Sequence, residues 1–236
     1  MKRIASSLWA GMIVLLACAC ASTPTPQPTA TPTTIGAKSV ALPQVIALPT
    51  PQLKGKVSLE ETLAQRRSVR EFSDDPLTLD EIGQLMWAAQ GITSPAGQRT
   101  APSAGALYPL EVYIVLRDGV YHYEPAEHQL RLRLRGDAKS ALFVAALEQG
   151  AVASAPATIV IAAVYARTAI KYGDERTPRY VHLEAGHAAQ NILLQAVALN
   201  LGAVPIGAFY DDQVKLALNL PSDHEPVYVI PVGRRK

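Results

Sequence analysis

The sequence is almost without cysteine: it has 2, Cys18 and Cys20, and both precede the part of the chain that reads as folded. The body of the protein therefore makes no disulfide, carries no thiolate nucleophile and offers no cysteine-ligated metal site. Net charge is also scarce, at +2 over 236 residues. Part of it comes from Lys2 and Arg3, in a segment that reads as removable, so nothing points to general affinity for nucleic acid. No Gly-x-Gly-x-x-Gly follows a strand pattern and there is no Walker sequence, which leaves both nucleotide motifs unsupported. Helical zinc sites space two histidines at i and i+4. His182 and His187 miss that spacing, and no other cluster supports a metal.

What is present begins with Lys2 and Arg3, an apolar run over 8–17 and then Cys18. A positive start and a short apolar core read as a secretory signal. Leu15, Leu16, Ala17 and Cys18 resemble a bacterial lipobox, with Cys18 the lipidated residue and Cys20 the poorer alternative. Residues 22–34 are nearly all threonine and proline, a solvated extended spacer with nothing to bury. At about 3 Å per residue a tether of this kind reaches up to roughly 100 Å. The sequence thus predicts a signal peptide at 1–17, a lipidated cysteine and tether at 18–56, and a folded domain at 57–236. The protein is expected to be exported and held to the membrane only through its lipid.

Ser58 and Glu61, then Thr78 and Glu81, are capping-box pairs, and each predicts a helix start. Leu79, Ile82, Leu85, Met86 and Ala89 give the second helix one buried face. Three strand patterns follow, at 112–117, 120–124 and 129–134, the first two joined by a hairpin at Asp118 and Gly119. In the third, Leu130, Leu132 and Leu134 alternate with Arg131, Arg133 and Arg135, so that one face meets water. A helix is expected over 137–149, and a β-branched apolar run at 158–164 predicts a buried central strand. A charged loop over 165–179 containing Lys171 and Tyr172 precedes a long helix over 180–199. On that helix Glu184, His187, Asn191 and Gln195 form one polar stripe, open to three readings: a ligand, a dimer seam or solvent. Asp211 caps a short helix, and a strand at 227–232 precedes Arg234 and Arg235. Strands separated by helices, with an antiparallel hairpin among them, give an α+β fold.

Two features point toward chemistry. Arg66, Arg67, Ser68 and Arg70 place forked guanidinium donors and a hydroxyl at a helix end. Arg66, Ser68 and Arg70 would face one way in an extended segment, which suits an anion as well as a solvated turn. Pro102, Ser103, Ala104 and Gly105, and later Pro205, Ile206, Gly207 and Ala208, are compact runs whose backbone can lie close against a flat ligand.

These pieces, in this order, resemble the nitroreductase superfamily of FMN oxidoreductases, and within it the SagB-type dehydrogenase branch. The resemblance implies a mixed sheet with helices packed around it and a homodimer with FMN in each of two sites between subunits. It implies that Arg66 and Ser68, with Arg67 beside them, hold the phosphate, and that Arg234 or Arg235 returns to it. Arg70 would meet the pyrimidine edge, residues 102–105 would line the ring, and Gly207 would offer its N–H to flavin N5. In relatives that oxidise peptide azolines a Lys-Tyr pair serves in proton removal, and Lys171 and Tyr172 match it, so the expected substrate is a small molecule or peptide. Ala106, Leu107, Tyr108 and Pro109 replace the Asn-x-Gln-Pro-Trp of nitroaromatic-reducing relatives. A flavin- or ligand-binding lipoprotein without turnover is the alternative on the same fold.

Overall fold

The protein is described here by a computed structural model covering residues 44–236. The predicted signal peptide, Cys18 and most of the predicted tether lie outside the described residues. In chain order the elements are β1 (Val45–Ala47), α1 (Leu59–Gln65), α2 (Leu79–Gln90), β2 (Leu110–Leu116), β3 (Gly119–Glu124) and β4 (Gln129–Arg135). Then come α3 (Lys139–Ala145), α4 (Gly150–Ser154), β5 (Ala157–Ala163), α5 (Tyr165–Ala198), β6 (Gly202–Ala203), α6 (Asp211–Leu218) and β7 (Glu225–Gly233).

The 7 strands form one sheet in the order β1-β4-β3-β2-β5-β7-β6, and their pairings are antiparallel. The α+β expectation holds, and among the described residues the parallel component is a single bridge between Ser68 and Ala203. β1 pairs with β4 through Val45 and Arg131, Ile46 and Leu130, Ala47 and Gln129. The folded part thus reaches into the span expected to be tether.

β5 lies between β2 and β7, and all 7 of its residues are buried. Successive side chains leave a strand on opposite faces. Ile159 and Ile161 accordingly join Leu85, Met86, Val181, Ala188 and Ile192 beneath α2 and α5. Val160 and Ala162 join Leu142, Val152, Val214 and Leu218 beneath α3, α4 and α6. Helices therefore cover both faces, which is why this strand reads as a continuous apolar run rather than an alternation.

Both capping boxes form: Ser58 accepts from the Glu61 N–H at 3.1 Å and Thr78 from the Glu81 N–H at 3.2 Å, with each glutamate returning to its cap. Caps of this kind contribute roughly 1 kcal/mol each. Three expectations are corrected. The segment 137–149 is not one helix, because Leu147 and Glu148 take left-handed φ values of 57° and 55° and separate α3 from α4. The charged stretch 165–179 is not a loop but the first part of α5, which breaks at Gly173 (φ 72°, ψ 162°) and then resumes. Asp211 stands in the first turn of α6, after Tyr210, rather than capping it with its side chain.

Candidate functional site

Arg66 ends α1 with its N–H on the Thr62 carbonyl. Arg67 turns back and donates from Nη1 to the carbonyls of Ala64 (3.0 Å) and Arg66 (2.8 Å). It satisfies helix-end acceptors and is thereby committed to its own helix. The next residues run beside β6: the Val69 N–H donates to the Ala203 carbonyl at 3.1 Å. Gly202 makes this approach possible, since a Cβ there would lie 2.7 Å from the Val69 Cβ. The chain end is stitched to the same segment by the Phe72–Arg235 bridge and by the Ser73 N–H on the Arg234 carbonyl at 3.0 Å.

This assembly leaves Ser68 and Arg70 exposed and Arg66 half-buried. None of the three side chains makes an ion pair or hydrogen bond among the described residues. The two arginines at the chain end differ. Arg234 Nη2 pairs with Glu81 at 2.9 Å and its Nη1 donates to the Pro76 carbonyl at 3.2 Å, whereas the exposed Arg235 has no such side-chain partner among the described residues. Arg70, Gln149, Val204, Pro205, Ile206, Gly207 and Ala208 line a common cavity of about 340 Å³, within the range of small-molecule sites. Ile206 is fixed by reciprocal backbone bonds to Val229 at 2.8 and 3.0 Å. The N–H of the exposed Gly207 donates to no acceptor among the described residues.

The second predicted loop forms a tight, unusual turn. Gly105, Ala106 and Tyr108 have φ values of 63°, 56° and 46°, a density of left-handed residues that costs backbone energy and marks turns held for a purpose. Ser103 closes it, its Oγ accepting from the Tyr108 N–H at 2.9 Å. Lys171 and Tyr172 lie directly against Gly105: a Cβ there would stand 3.0 Å from Lys171 Nζ and 3.2 Å from the Tyr172 hydroxyl. The Tyr172 ring packs on Tyr180 with centroids 4.3 Å apart.

Residues 66–70, 205–208 and 235 are thus brought together on one side, and residues 102–105 with Lys171 and Tyr172 on another. Residues 102–105 do not line the Arg70 cavity. α5 runs past both: Ser103 acts on its Glu184, while the neighbouring Ala185 borders a cavity of about 440 Å³ shared with Gly207, Tyr165 and His182. Of the polar stripe on α5, Glu184 is buried and His187 is exposed without a hydrogen bond among the described residues. Asn191 donates to the Thr100 carbonyl at 3.3 Å, and Gln195 accepts from Gln84 at 3.2 Å.

Sequence reasoning did not single out the polar groups under this turn. Glu111 is held between His122, at 2.6 Å, and Arg167. Burial alone would raise its pKa, but these two partners bring it down to about 2. Arg167 also donates to the Tyr108 carbonyl at 3.1 Å. Arg99 lies 4.6 Å over the Tyr108 ring and donates to Gln90 at 2.8 Å. A charged residue directly before the strand pattern at 112–117, as Glu111 is, was the available signal; the structure makes it the second residue of β2.

An antiparallel sheet covered by helices on both faces defines an α+β domain, and in it Arg70, whose side chain has no partner among the described residues, lines a cavity with residues 204–208. The chain belongs to the nitroreductase family, whose model matches residues 63–234. A nitroreductase-family protein of Methanocaldococcus jannaschii is 45% identical over 186 residues, 76% of this chain and 92% of the relative. The crystal structure of a nitroreductase-family protein of Ralstonia eutropha matches with TM-score 0.75 and 32% identity, covering 82% of this chain and 90% of that one. The fold is also that of the NADPH:FMN oxidoreductase of Vibrio harveyi, solved with NAD+, at TM-score 0.56 and 23% identity over 75% of this chain and 69% of that one.

Proposed function

We propose that this nitroreductase-family oxidoreductase is FMN-dependent, of the SagB-type branch, exported and tethered by lipid at Cys18, and active as a homodimer on a small molecule or peptide. The carrying observation is that Arg70, exposed and without a side-chain partner among the described residues, lines one cavity with residues 205–208. The side chains of Arg66, Ser68 and Arg70 have no hydrogen-bond or ion-pair partner among the described residues, and Arg66 and Ser68 precede Arg70 on the segment beside β6. A phosphate ester needs several charged donors and an isoalloxazine needs an apolar slot with a few backbone contacts, so these residues fit FMN.

When bound, FMN supplies two-electron hydride chemistry at N5. Arg66 and Ser68, joined by Arg235, bind the phosphate, while Arg234 is occupied with Glu81. Arg70 supplies positive charge to the pyrimidine edge. Pro205, Ile206 and Ala208 present an apolar wall, and Gly207 has its N–H available. Lys171 Nζ or the Tyr172 hydroxyl holds or moves the substrate proton beside Gly105. A site placed between subunits accounts for residues 102–105 not lining the Arg70 cavity of a single chain.

The test is the absorbance of the purified protein and its response to NAD(P)H without oxygen. Flavin bands that bleach and return with an acceptor support an oxidoreductase. A yellow protein inert to every donor and acceptor supports a flavin-binding lipoprotein. A colourless protein that gains no thermal stability from FMN contradicts both.

A further inference from the structure

The buried group with no role so far is Glu184. It is 3% exposed, on the face of α5 turned toward α2 and the segment that carries the 102–105 turn. Among the described residues its Oε1 has no hydrogen-bond partner, and neither has Nε2 of Gln90, a fully buried side chain of α2. The groups that act on it come from each element packed there: Ser103 from the turn, the charged Arg99 from the strand-like segment before it, and Gln90 from α2. Arg99 is already engaged with Gln90 Oε1 and the Tyr108 ring.

An ionised carboxylate here would be sealed from water with one of its oxygens unpaired, an expensive arrangement. The uncharged acid has one O–H donor and keeps acceptor capacity. Ser103 Oγ uses one lone pair for the Tyr108 N–H, which leaves its second lone pair and its own O–H for Glu184. Ser103, whose Oγ closes the turn, is also the hydroxyl that acts on the buried acid.

We propose that Glu184 works as an uncharged acid, a positioning residue that fixes the left-handed turn through Ser103 and so keeps Gly105 against Lys171 and Tyr172. Its role in flavin binding rests on the FMN reading, but its effect on the turn does not. Burial raises the Glu184 pKa to about 7, against the opposing pulls of Ser103, Arg99 and Gln90. Ionisation through that range loosens the turn.

The experiment compares wild type with Glu184→Gln and Glu184→Ala, using thermal midpoints of the FMN-free protein and FMN affinity by flavin fluorescence, each across pH. A carboxyl whose folded pKa is raised binds more protons folded than unfolded, so stability falls as pH rises from 4.5 to about 7 and then levels. Wild type should lose stability relative to Glu184→Gln over that window. FMN affinity of wild type should drop about tenfold per pH unit above about 7, while Glu184→Gln stays level and Glu184→Ala binds weakly throughout. The phosphate of FMN titrates alike in all three proteins, so the comparison removes it. An unchanged pH inflection in Glu184→Gln, or a wild type without one, overturns the proposal. If Glu184→Ala does not fold, the glutamine arm decides. If FMN binds to none of them yet the stability difference persists, the flavin reading falls and the role of Glu184 stands.

Discussion

Gly202→Ala tests whether the 66–70 segment is positioned by close packing on β6. The backbone of Gly202 is not in the left-handed region, so alanine meets no conformational penalty there. Its Cβ would lie 2.7 Å from Val69 Cβ and Cγ1 and 2.8 Å from Cγ2, against about 3.5–4.0 Å for ordinary carbon contacts. Val69 must retreat by about 1 Å, and its N–H is bonded to the Ala203 carbonyl. Overpacking of this kind costs about 1–3 kcal/mol, a fall of roughly 2–12 °C in thermal midpoint for a domain of this size. Ser68 and Arg70 flank Val69, so the stabilisation conferred by FMN should shrink as well. Differential scanning with and without FMN measures both. Val69→Gly in the Gly202→Ala background removes the three nearest clashing atoms and should recover the FMN-dependent gain. A Gly202→Ala protein matching wild type in both quantities refutes the packing argument.

Three further outcomes follow from the same geometry. Arg66→Ala with Arg70→Ala should abolish the thermal gain from FMN while changing the FMN-free midpoint by no more than the equivalent of about 0.5 kcal/mol, since neither side chain has a partner among the described residues. Gly105→Val places a branched side chain at φ 63° and against Lys171 Nζ; reductive turnover should fall more than FMN retention, read by stopped-flow against equilibrium titration. Glu111 has a depressed pKa of about 2, so its stabilisation is present above 4.5 and lost as pH falls toward 2. Acid denaturation should therefore cost wild type up to about 3 kcal/mol more than Glu111→Gln across that window.

The elements were legible where a local rule settles the structure. Ser58 with Glu61 and Thr78 with Glu81 announce their helices because a capping box is satisfied within four residues. The run at 158–164 announces β5 because burial on both faces removes alternation. Long-range facts were not legible. Val45 to Ala47 look like tether because so short an edge strand carries no pattern, and only its register against β4 reveals it. The helical start of α5 was hidden by Gly173 and Pro178, which locally resemble a loop. The separate fates of Arg234 and Arg235 depend on Glu81, far away in sequence. Glu184 was visible as one member of a polar stripe, but its burial depends on which face of α5 meets α2.

The account stands or falls on whether free arginines and a serine beside β6 receive a phosphate attached to a flavin. Titrating the protein with FMN and with riboflavin, which lacks the phosphate, tests this most directly. The account predicts that FMN quenches at concentrations at least about a hundredfold lower than riboflavin, a difference near 2.7 kcal/mol, and that Arg66→Ala with Arg70→Ala removes most of the gap. Equal affinity for the two flavins, or a gap unaffected by those substitutions, would contradict it.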